Sequence, residues 1–165
     1  MFLIIFAISK RKVMYQTLTF YHNFMRWLVL ASLIFSIYRA YRGYYLKSVF
    51  SKTDNTLRHW TATIAHIQLM IGMVLYFQSP IIKYFRTNFK EAVKNFDITF
   101  FAMIHSSLML TAIVLITIGS AKAKRKPTDQ EKFKTMLVWF SIALFIIFIA
   151  IPWPFSPFAN RPYYR

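Results

Sequence analysis

The chain has 165 residues, of which 57% are hydrophobic, 19% aromatic and only 16% charged. That composition excludes an ordinary soluble domain, and because open sheets cannot satisfy their backbone in lipid it points to a single all-α membrane domain. Lys and Arg number 21 against 5 Asp and Glu, a net charge of +16; these cations flank apolar runs, so anionic lipid headgroups are the expected partner and nucleic acid is not.

Residues 1–9 are apolar and 10–12 are basic, the reverse of a secretory signal. Residues 1–13 read as an N-terminal extension, with Met14 as an alternative start. The first apolar span is expected over 15–38, followed by a basic, tyrosine-rich loop broken at Gly43. Asp54, Asn55 and Thr56 offer caps for a second helix over 58–78, which ends before Ser79-Pro80. Residues 81–95 mix Ile82, Phe85 and Phe89 with Lys83, Arg86, Lys90 and Lys94, a pattern for an amphipathic segment in the interface or a plain loop. A third helix is expected over 97–119 and a fourth over 133–151, stopped by Pro152. Each span is long enough for a hydrocarbon core of roughly 30 Å. Four such helices with short connections predict an integral membrane up-down-up-down four-helix bundle.

The 1–2 and 3–4 loops carry slightly more Lys and Arg than the other side, which holds the 2–3 loop, Arg161 and Arg165. The bias places both termini outside the cytoplasm. Tyr38, Tyr41, Trp60 and Trp139 are expected in one aromatic belt, and Tyr84 and Trp153 in the other.

Three of the spans carry a histidine: His22, His66 and His105. An imidazole in hydrocarbon is costly unless paired or put to use. Helices 1 and 3 enter from the same side, which puts His22 and His105 about 11–12 Å deep at 1.5 Å per residue. His66 enters from the other side and falls roughly 18 Å from that first face in a core of 30 Å. His22 and His105 therefore form the best-matched pair, on diagonal helices, as axial ligands of a heme. His66 is an alternative or additional ligand. Arg26, one turn beyond His22, suits a heme propionate; snorkelling or pairing with Asp97 is the plainer alternative. Met70, Met73, Met109 and Gly72 could pack against a flat cofactor or simply fill a core. The histidines could likewise be structural, bonded to Thr63, Gln68, Ser106 or Ser107. His59, beside Trp60, reads as interfacial. There is no cysteine, so iron–sulfur clusters, thiolate ligands and covalent heme attachment are excluded. All five acids lie in loops or at helix ends, leaving no intramembrane carboxylate pair for catalysis.

Four stretches resemble a family of small four-helix membrane proteins of Bacteroidetes-type bacteria labelled cytochrome b-like. They are His22-Asn23-Phe24-Met25-Arg26-Trp27, residues 65–80, residues 103–126, and Ile151-Pro152-Trp153-Pro154-Phe155. The resemblance implies an inner-membrane location and heme b bound through His22, His66 or His105, with Arg26 alongside. The expected function is a b-type cytochrome subunit in electron transfer, not an enzyme on its own, served by a membrane protein partner or a quinone. The rivals are a non-redox accessory subunit whose histidines knit helices, and a copper-handling protein using His and Met.

Overall fold

The computed structural model describes residues 2–156; Arg161 and Arg165 lie outside them. The described elements are helical. They are α1 (Phe2–Tyr45), α2 (Lys52–Gln78), α3 (Pro80–Thr87), α4 (Phe89–Ala92), α5 (Phe96–Thr99), a π-helical turn (Phe100–Ile104), α6 (His105–Arg125) and α7 (Asp129–Ala150). Four helices are long and apolar enough to cross a membrane: Val13–Tyr45, Lys52–Gln78, Phe96–Arg125 and Asp129–Ala150.

The helices are longer than the apolar runs alone predict. α1 continues through the basic 10–12 stretch, where Lys and Arg are good helix formers. At its other end α1 passes through Gly43 instead of breaking there. A β-carbon at Gly43 would collide with the ring of Phe133, which is fully buried against it. The glycine is thus a packing residue, and the chain leaves the helix later, at Lys47 with φ 50°.

α2 starts six residues before the expected position. Ser51 is its N-cap, and Asp54 completes a reciprocal capping box by accepting from the Ser51 amide. Thr128 and Glu131 do the same for α7, which brings that helix forward to Asp129 and leaves a tight connection after Arg125. The segment after Ser79 is helical. Proline at its first position suits a helix start, and Ile82 and Phe85 turn inward against Ala92 and Ala102.

Around the bundle, α1 packs on α2 and α7, and α6 packs on the same two. Small residues allow close approach: Ala40, Ala62, Ala65, Ala112, Ala123 and Ala143 are all buried. Leu33, Ile116, Met136 and Phe140 fill the centre between them. The outside is apolar too, with Phe20, Phe24, Ile34, Phe77, Phe145 and Phe148 all exposed. A continuous apolar exterior of this kind needs a partner other than water.

Polar contacts lock one end of the bundle. Arg39 donates twice to Asp54 Oδ1, at 3.0 and 2.8 Å. Ser36 and Thr61 share a buried hydroxyl hydrogen bond of 2.7 Å. Arg58 is buried, donating to Asn55 Oδ1 and to the carbonyl and hydroxyl of Ser120.

Candidate cofactor site

The opposite end gathers His22, Arg26 and His105. His105 is the first residue of α6 after the π-helical turn, and its amide donates to the carbonyl of Phe100, five residues back. π-Bulges of this kind occur mostly where function demands an irregular helix. The wider turn sets Phe100 and Phe101 around the imidazole, with ring centroids 6.0 and 6.2 Å away.

The tautomer of His105 follows from its partner. Nδ1 lies 2.8 Å from the carbonyl of Ala150. A carbonyl only accepts, so Nδ1 carries the proton and Nε2 keeps its lone pair. The bond also satisfies one of the carbonyls that the end of α7 leaves without a helical partner. A backbone carbonyl holding one ring nitrogen while the other is left to ligate is the usual second-shell support of a metal-binding histidine.

His22 comes from α1, across the bundle from α6. Its ring lies against Gly72 of α2, where a β-carbon would sit 3.2 Å from Cε1 and 3.6 Å from Nδ1. Gln68, one turn earlier on α2, donates to the His22 carbonyl at 2.9 Å. His22 Nδ1 itself is buried with no hydrogen-bond partner. Buried polar atoms are rarely left so, and each exception calls for a reason. His22 and His105 lie near enough to each other, and Arg26 near enough to both, to couple electrostatically.

Arg26 lies in an aromatic corner. Its guanidinium is 5.3 Å from the Trp27 ring and 5.7 Å from the Trp153 ring. Trp153 is not in a lipid-facing belt. It is 7% exposed, packs 5.8 Å from Trp27, stacks on Phe155 and donates its indole N–H to the Phe148 carbonyl. The chain turns back after Ile151-Pro152 and lays this tryptophan over the bundle end.

His66 stands apart. Its Nε2 is 3.0 Å from Thr117 Oγ1, whose own proton goes to the Ile113 carbonyl. His66 Nε2 is therefore the donor. Thr117 is twelve residues beyond His105, or about 18 Å along α6 at 1.5 Å per residue. The His66 residue is exposed on the outside of the bundle, as are Met70 and Met73. Met109 is partly buried against the core. The structure thus brings together His22, Arg26 and His105, and leaves His66 outside. Trp27, Trp153 and the π-helical turn belong to the site too, although composition and spacing give them no role in it. Among the described residues there is no group of three or more His, Cys, Asp or Glu able to hold a metal ion. Comparison of the chain with protein-family models, with curated proteins and with solved structures finds no match.

Proposed function

We propose that this chain is an inner-membrane b-type cytochrome subunit of the cytochrome b-like kind, in which His22 and His105 would hold heme b. One observation carries the reading. Two imidazoles from opposite helices share one end of the bundle, one with its tautomer fixed to free Nε2 and the other with a buried, unpartnered ring nitrogen. A pair of histidines would suffice to hold a heme, which brings the rest of its iron's ligands with it. The donor set fits that group, and Arg26 supplies a cation for its carboxylates. When bound, heme b supplies one-electron transfer. The protein's own part is to aim the two rings, hold the His105 proton on Nδ1, and keep water out with Phe100, Phe101, Trp27 and Trp153.

The bundle supports a membrane role. Contacts run in opposite order along each neighbouring pair: His22 meets Gly72 while Arg39 meets Asp54, and His105 meets Ala150 while Gly119 meets Trp139. That order favours an up-down-up-down arrangement, and the small excess of cations in the 1–2 and 3–4 loops favours termini outside the cytoplasm. Electrons would come from a membrane protein partner or a quinone.

The test is a reduced-minus-oxidised spectrum with pyridine hemochrome on purified protein from a heme-replete host. A b-type band is expected, lost in His22→Ala and His105→Ala and kept in His66→Ala. No band in the parent protein, or full heme content in His105→Ala, would overturn the assignment. The second reading, an accessory subunit with structural histidines, is favoured by the Ala150 and Thr117 bonds and would then stand.

A further inference from the structure

At the end of the bundle away from His22 and His105, α6 and α7 enclose an open pocket of about 640 Å³. Lys122, Arg125, Lys126 and Lys134 line its rim, and Val138 and Trp139 form an apolar wall. The lining includes one carboxylate, Glu131, which is already engaged by the Thr128 hydroxyl and Lys126. The rim therefore presents unspent positive charge. Arg125 points only its Nε back to its own helix, at the Ala121 carbonyl. Lys122 places its ammonium 4.6 Å from the centroid of Trp139. The indole wall is fixed in place: Gly119 lies directly under Trp139, where any β-carbon would collide with it.

We propose that this pocket is a specific site for an anionic phospholipid. Phosphate is the chemistry that a rim of three Lys and one Arg recognises. A lipid source is favoured over a soluble one because the rim continues into Val138, exposed on the flank of a helix long and apolar enough to cross a membrane. Headgroup phosphate meets the rim, and acyl chain lies along Val138 and Trp139. The proposal is independent of any heme.

Native mass spectrometry of the full chain in detergent tests it, with dioleoylphosphatidylglycerol, dioleoylphosphatidylcholine and inorganic phosphate as probes. The phosphatidylglycerol should be retained about tenfold more than the phosphatidylcholine, and Lys122→Gln with Lys134→Gln should lower its retention roughly thirtyfold, as loss of two juxtamembrane cations predicts. Lys122→Arg with Lys134→Arg should keep retention, as should Lys83→Gln with Lys90→Gln at the other end of the bundle. Equal retention of the two lipids, unchanged retention in the Gln pair, or loss in the Arg pair would overturn the site. Equal loss in the Lys83/Lys90 pair would reduce it to overall charge. Displacement of the lipid by millimolar inorganic phosphate would reassign it to a soluble anion.

Discussion

At the scale of single residues, this chain uses its three glycines as spacers, and each sets the position of an aromatic ring. Gly119→Ala would force Trp139 aside in a packed contact, so a loss of about 1–3 kcal/mol is expected, read as a lower thermal midpoint in detergent. Gly72→Ala is a gentler probe. The added methyl would press on the His22 ring from 3.2 Å, so the fold should survive while the heme band shifts or weakens. An unchanged spectrum would argue that His22 is not a ligand. That His22 and His105 lie at the same end of the bundle is legible in the sequence, because helix rise converts residue number into position along the helix. The facing of His66 is not. Depth leaves the rotation of a helix undetermined, and Thr117 lies fifty-one positions away in the chain.

Among the elements, the two capping boxes offer a controlled comparison. Both begin α-helices and both use an acid at the fourth residue counted from the cap, yet Asp54 is 1% exposed while Glu131 is 42% exposed. Asp54→Ala removes the acceptor for the Ser51 amide and hydroxyl and for Arg39. Stranding those donors should cost about 1–3 kcal/mol. Glu131→Ala should cost less, because water replaces the carboxylate. A thermal midpoint that falls equally in the two variants would show that burial of Asp54 adds nothing. The Ser51-x-x-Asp54 pattern is present in the sequence, but the stronger hydropathy boundary at 58 masks it. Arg58 consequently reads as the exposed first residue of the helix, whereas it is a buried cross-link to Ser120. Trp153 misleads for a different reason: periodicity describes faces of a helix, and this residue is buried by a chain reversal after the helix has ended.

For the whole molecule, the presence of four long apolar helices was legible because each apolar run is long and separated by charge. Which side faces the cytoplasm rests on a small excess of cations. The absence of cysteine makes this testable without background labelling. In cells, Lys90→Cys should react with a membrane-impermeant maleimide from outside, and Lys124→Cys should react only after lysis. The reverse pattern would invert the topology. Both positions are exposed, so neither substitution should disturb the fold.

The π-helical turn before His105 has a genetic corollary. A π-bulge amounts to one residue inserted into an α-helix. Deleting a single residue within 102–104 should therefore heal the helix, not break it, turning the bond from the His105 amide to the Phe100 carbonyl into an ordinary α-helical one and leaving the segments on either side in phase. α6 would keep its seat on α7, with His105 still tied to Ala150, while the turn beside the imidazole tightened. A one-codon deletion would thus separate the packing of the bundle from the widened turn that frames its histidine.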